Sequence, residues 1–141
     1  MRPALLANIA CLALLAACAP RPPEVPKEAQ AQIDLFAQPW LARGTEPFWS
    51  VRVERGKLTF ERPDQSPLEA TVSTRGLTTD SATWLAQAAT GEVLALSLAR
   101  RPCSDGMSDL KYAWSASLKV GVEELRGCAG PAAALKAQPH G

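Results

Sequence analysis

Trp49, Val51 and Val53 share one side of a segment whose other side carries Ser50, Arg52 and Glu54, and alternation with period two is the mark of a half-buried strand. Arg55-Gly56 makes a tight turn into Leu58 and Phe60, so a hairpin is expected there. Leu68, Ala70 and Val72 then alternate with Glu69, Thr71 and Ser73. Ala82 to Ala88 place Trp84 inward, and after Thr90-Gly91 come Leu94, Leu96 and Leu98. The clearest segment is Tyr112 to Val120, in which Tyr112, Trp114, Ala116, Leu118 and Val120 face one way and Ala113, Ser115, Ser117 and Lys119 the other. Gly121 turns the chain into Glu123 to Cys128. About seven to eight short strands with no convincing long helix predict an all-β fold, a small antiparallel β-barrel or sandwich. Ala82 to Ala89 is the one stretch whose alanines would also suit a helix.

The two ends read differently. Arg2 is followed by an almost wholly apolar run from Pro3 to Leu14, and Leu15-Ala16-Ala17-Cys18 has the form of a bacterial lipobox. The run is too short to span a bilayer comfortably. Residues 1–17 are therefore expected to be a lipoprotein signal peptide and Cys18 the lipid-carrying first residue of the mature chain. Ala19 follows rather than an aspartate, which in a Gram-negative host directs such a lipoprotein to the outer membrane, facing the periplasm. Residues 18–40 hold Pro20, Pro22, Pro23, Pro26 and Pro39 among polar residues and alanines, a composition that favours extended, solvated chain and reads as a flexible tether. Glu28 to Phe36 has the makings of a helical turn, but the flanking prolines argue against a stable one. Residues 131–141 look equally unstructured, which leaves 41–130 for a single β domain.

Composition narrows the function classes. The formal net charge is +1, and loss of Arg2 with the signal makes the mature side chains neutral, so the basic face that a nucleic-acid partner demands is not indicated. Four cysteines are present. Cys11 goes with the signal and Cys18 is taken by lipid, so Cys103 and Cys128 remain in an oxidising compartment and should form one disulfide. Closing a loop of about 26 residues stabilises by roughly 3 to 4 kcal/mol on the chain-entropy model. No C-x-x-C spacing exists, and the only histidine, His140, lies in the tail, so neither a redox pair nor a zinc site is suggested and no cofactor is expected.

Two segments are more specific than strand pattern: Gly44-Thr45-Glu46-Pro47-Phe48-Trp49, and Cys103-Ser104-Asp105-Gly106-Met107-Ser108-Asp109 followed by Tyr112 and later by Gly127-Cys128-Ala129. Over roughly residues 43–129 the chain resembles a family of bacterial envelope lipoproteins marked by GTEPFW, C-x-DGMSD-x-x-Y and a terminal GCA, a family without an assigned function. Ala113-Trp114 departs from it, since relatives tend to carry a proline there. More remotely, the architecture is similar to META-type domains and to the small barrel of membrane-bound C-type lysozyme inhibitors, a likeness of fold alone.

From the residues themselves, Asp105-Gly106 favours a turn with positive φ, and Ser104, Asp105, Ser108 and Asp109 are all able to hydrogen-bond nearby amides, so the plain reading is a structured loop pinned by Cys103. The sharper reading is a ligand-binding rim composed of Glu46, Phe48, Trp49, Asp105, Ser108 and Asp109. A calcium site on Asp105 and Asp109 lacks the oxygen ligands such a loop needs. Trp49, Trp84, Trp114 and Phe60 fall where strand cores place bulky residues, whereas Trp40 and Phe48 lie outside that pattern and are expected to cover a barrel end or join a binding surface. Glu46, paired with Asp105, invites an acid role. Against an enzyme stands the inventory: no Ser-His-Asp set, no free thiol and no phosphate loop, so a hydrolase would run on carboxylates alone. The expected function is a binding or envelope-interaction module, with a periplasmic protein or a small molecule as partner and the membrane reached through lipid. The alternatives are a structural or stress-related lipoprotein without a ligand, a lysozyme-inhibitor-like protein, for which a neutral domain offers no acidic field, and a cell-wall hydrolase.

Overall fold

The computed structural model describes residues 23–138; the signal segment, Cys18 and His140 lie outside them. Eight antiparallel strands close into one barrel: β1 (Trp40–Thr45), β2 (Phe48–Glu54), β3 (Lys57–Glu61), β4 (Leu68–Leu77), β5 (Ser81–Ala88), β6 (Val93–Ala99), β7 (Trp114–Val120) and β8 (Glu123–Pro131). Each strand pairs with its sequence neighbour, and β1 pairs with β8 to complete the ring, with Leu41 opposite Gly130 and Arg43 opposite Cys128. Ala82 to Ala88 form a strand and not a helix, because alternate residues Ala82, Trp84, Ala86 and Ala88 all turn into the core. Arg55 and Gly56 both take positive φ, 50° and 76°, as a two-residue hairpin turn between right-twisted strands requires.

The interior is filled by side chains. Val51, Leu58, Leu94, Leu96 and Leu118 are fully buried among Trp49, Trp84 and Trp114. An eight-stranded barrel is narrow enough for its inward residues to fill it, and alternation puts one residue inward at every second position, large ones such as Trp84 set beside small ones such as Ala82 and Ala86. Closure at the β1–β8 seam depends on two glycines. A Cβ on Gly127 would collide with the Arg43 carbonyl, and one on Gly44 with the Trp49 indole and the Arg126 carbonyl, so only glycine allows the two strands and the ring of Trp49 to come together there.

Three features of the ends differ from the sequence reading. A strand that the alternation did not show, β1, starts at Trp40 ahead of the segment from Trp49, so GTEPFW is the hairpin joining β1 to β2; with only Trp40 and Ala42 as inward apolar residues, β1 shows too little alternation to stand out. The segment expected as a tether contains α1 (Lys27–Ala37), which stops ahead of Gln38-Pro39, where the residue before proline cannot stay helical. An eleven-residue helix is marginal alone, and its stability here comes from docking. Phe36 stacks on Trp40 at 4.9 Å between ring centroids and meets Trp84 and Trp114 edge-on at 5.7 and 5.6 Å, while the Trp40 indole donates to the Leu35 carbonyl at 3.1 Å. Trp40 thus belongs to the core under α1. The tail likewise has structure as far as residue 138: α2 (Ala132–Lys136) buries Leu135 on the outside of the barrel, and the Gln138 side chain both accepts from the Lys111 amide and donates to the Lys111 carbonyl, at 2.7 and 2.9 Å.

Candidate functional site

The connection from β6 to β7 is the longest in the barrel, and it folds back over the outer face of β8 and β1. Cys103 is bonded to Cys128 with a Cα separation of 5.5 Å, and the Cys103 amide donates to the Tyr112 carbonyl at 2.9 Å, which ties the two ends of the loop together. Beneath it lies a second, smaller apolar cluster outside the barrel, in which Leu110, Tyr112, Cys128 and Leu135 pack with Leu41. Tyr112 is therefore not on the inward face it was expected to share with Trp114. A bend at Ala113 breaks the alternation, and β7 begins only at Trp114.

Asp105 is the hub of the loop. Its Oδ1 accepts from the Ser108 and Met107 amides at 2.8 and 3.1 Å, and its Oδ2 accepts from the Ser108 hydroxyl at 2.6 Å and the Tyr112 hydroxyl at 2.9 Å. Burial works against the charge, but the hydrogen bonds led by Ser108 outweigh it and hold the Asp105 carboxyl well below the usual carboxylate range. The same contact, together with burial, which acts first, raises the Tyr112 phenol above its ordinary value. A carboxylate held ionised and saturated on both oxygens has no proton to give, so Asp105 is a structural anion. Gly106 takes a φ of 71°, as the Asp-Gly pair suggests. The hairpin motif is bound to this hub: the Thr45 hydroxyl donates to the Asp105 carbonyl at 3.1 Å.

The six residues expected at the rim separate into groups. Asp105 and Ser108 form the hub, while Asp109 is exposed and outside its network. Trp49 points into the barrel, 3% exposed, and its indole donates to the Arg126 carbonyl at 3.3 Å. Glu46 sits exposed on the β1–β2 turn, beside a hollow of 300 Å³ shared with Ser104 and Arg126. Phe48 is 52% exposed on the outer face.

Between the hairpin and the loop runs a groove. One part, of 580 Å³, lies between Phe48, Ser50 and Arg62 on one wall and Asp105 and Met107 on the other. A second part, of 770 Å³, continues over Leu41 and Arg43 to Arg52, Asp109 and the α2 residues Leu135 and Lys136. The two share Leu41, Arg43, Met107 and Ser108, so they form one continuous depression along the outer side of β1. Met107, 70% exposed, stands over it from the loop. At the far end Arg62 reaches Glu123 at 2.6 Å and lies over the Phe60 ring at 5.1 Å, joining the β3–β4 connection to the start of β8.

Leu41, Arg43, Arg52 and Met107 escaped the sequence reading. The first three occupy the outward positions of their strands and look there like ordinary solvated residues, and Met107 carries no signal beyond its place inside the DGMSD motif. Compared with protein-family models, with curated proteins and with solved structures, the chain matches none.

Proposed function

We propose that the protein is an envelope lipoprotein, anchored through lipid on Cys18 to the outer membrane and facing the periplasm, whose β domain is a binding module with the groove along β1 as its ligand site. The lipobox supports the anchor, and among the described residues no helix is long and apolar enough to cross a membrane. One observation carries the binding reading: the two motifs that carry the family resemblance form the opposite walls of one groove, with exposed apolar side chains, Phe48 and Met107, presented from either side. Within each motif the labour is divided. Gly44, Thr45, Trp49, Asp105 and Tyr112 hold the walls in place, while Phe48 and Met107 have no comparable structural task. The carboxylate-hydrolase alternative relied on Glu46 with Asp105, and Asp105 is committed to its loop.

The test is a ligand screen of the purified protein by two-dimensional NMR, read on the resonances of Leu41, Phe48, Met107 and Leu110. Ligands that shift these residues, and that are lost in Phe48→Ser/Met107→Ser without a change in melting temperature, are the expected result. Hits that cluster on another face and survive the double substitution overturn the reading.

A further inference from the structure

Resting on the groove as the ligand site, we infer that it takes a single-chain amphiphile with an anionic headgroup, free in solution and not as part of a bilayer. The first ground is charge. Arg43, Arg52 and Lys136 line the larger part of the groove, and none of them is within ion-pair distance of a carboxylate among the described residues, whose ion pairs involve Arg55, Lys57, Arg62 and Arg126. Asp109 is the one carboxylate in the lining of that larger part, while Asp105 and Glu61 keep their negative charge in the smaller part. The larger part alone therefore sets one carboxylate against three cations, in a protein whose mature side chains sum to zero. An anion drawn to the larger part meets an excess of positive charge beside low-dielectric walls.

The second ground is the floor. Leu41, Leu110, Leu135 and Pro39 are the apolar share of the same lining, Leu110 and Leu135 being largely buried, and Met107 and Phe48 add exposed apolar surface toward the hairpin. An unbranched methionine hanging over such a bed adapts to a flexible apolar chain. The groove's volume, 770 Å³ in its larger part, suits a small molecule.

The third ground is what the groove does not offer. An extended peptide docks by adding to a free strand edge, and β1 has none, being hydrogen-bonded to β2 on one side and β8 on the other. An acyl chain asks for no backbone hydrogen bonds. A flat bilayer is the poorer fit, since Leu110 is only 8% exposed while Met107 and Phe48 stand out at 70% and 52%.

The experiment titrates the purified protein with dodecanoate below its micellar threshold, in calorimetry and in NMR read at Leu41, Met107 and Leu110. It is run beside the neutral dodecyl maltoside, also monomeric, and beside vesicles of phosphatidylglycerol. Expected are saturable binding of dodecanoate at those residues, at least tenfold weaker binding of the maltoside, and at least a tenfold loss in Arg43→Gln/Arg52→Gln/Lys136→Gln. The double variant Arg52→Gln/Lys136→Gln, altered only at exposed side chains, should show an intermediate loss and serves if the triple variant fails to fold. Equal affinity for the two amphiphiles, or no loss in the Gln variants, overturns the anionic class while leaving the groove as the ligand site. Binding to vesicles without binding to monomeric dodecanoate overturns it in favour of a membrane surface. If dodecanoate shifts none of these residues although other ligands in the screen do, this inference fails and the functional reading stands; if no ligand of any class shifts them, both fail.

Discussion

Replacing Asp105 by alanine isolates the hub on which the groove's loop wall depends. Four donors lose their acceptor, but not at equal cost. The Met107 and Ser108 amides and the Ser108 hydroxyl belong to exposed residues, so water takes over and the loss is about 0.5 kcal/mol each. Tyr112 is 3% exposed, and its hydroxyl without a partner costs about 1–3 kcal/mol. The sum, about 2.5–4.5 kcal/mol, corresponds to a fall in melting temperature of roughly 9–16 °C for a domain of this size. The pH dependence identifies the cause. The folded carboxyl is depressed below the unfolded value of about 3.9, so the unfolded chain binds more protons in that range; the stabilisation is fully present above it and is lost as pH falls through and below it. Urea unfolding followed by tryptophan fluorescence should show a constant gap between wild type and Asp105→Ala from pH 5 to 8. Below about pH 4 that gap should shrink by up to about 1.4 kcal/mol per pH unit. Tyr112→Phe supplies the alkaline counterpart. The folded phenol is raised, so its contribution is present below about pH 10 and lost above it in wild type, and that branch should vanish in the variant. A gap below about 0.5 kcal/mol at pH 7, or one that stays unchanged down to pH 2.5, would refute the assignment of Asp105 as an ionised structural hub.

Phe36→Ala removes the ring that joins α1 to Trp40, Trp84 and Trp114, and a truncation of that kind costs about 3–5 kcal/mol; hydrogen exchange should show α1 losing its protection before any strand does, and a helix that stays protected would count against docking as the source of its stability. Cys18→Ser should abolish the incorporation of labelled palmitate, and a variant that still takes up the label would show that the lipid lies elsewhere.

The strands were legible because a half-buried strand writes its two faces into every second residue, and β2, β3, β5, β6 and β7 all carry that alternation over enough positions to be read. The pairing of Cys103 with Cys128 was legible by elimination, since the sequence reading assigned Cys11 to a signal and Cys18 to a lipid anchor. β1 was not, because its information is in what it lacks: Gly44 matters for the space it leaves to Trp49 and β8, which no local pattern records. Nor were α1 and α2. Each is too short to be stable by propensity, and each is anchored by one buried side chain, Phe36 or Leu135, with Leu35 packing beside the first, set into a surface built from distant strands.

For the site, the chain's own residues singled out the two motifs and the turn-forming chemistry of Asp105, Gly106 and Ser108. Only the tertiary structure decided that Tyr112 turns outward to complete that hub, that Trp49 turns inward away from the rim, and that Arg43, Arg52, Leu41 and Met107 meet in one groove. The physical reason is that alternation tells which residues share a face, while the partner of an outward face is set by whichever loop folds back over it. Here that loop is the segment from Cys103 to Tyr112, tied to β8 through a bond 25 residues long in sequence and 5.5 Å in space.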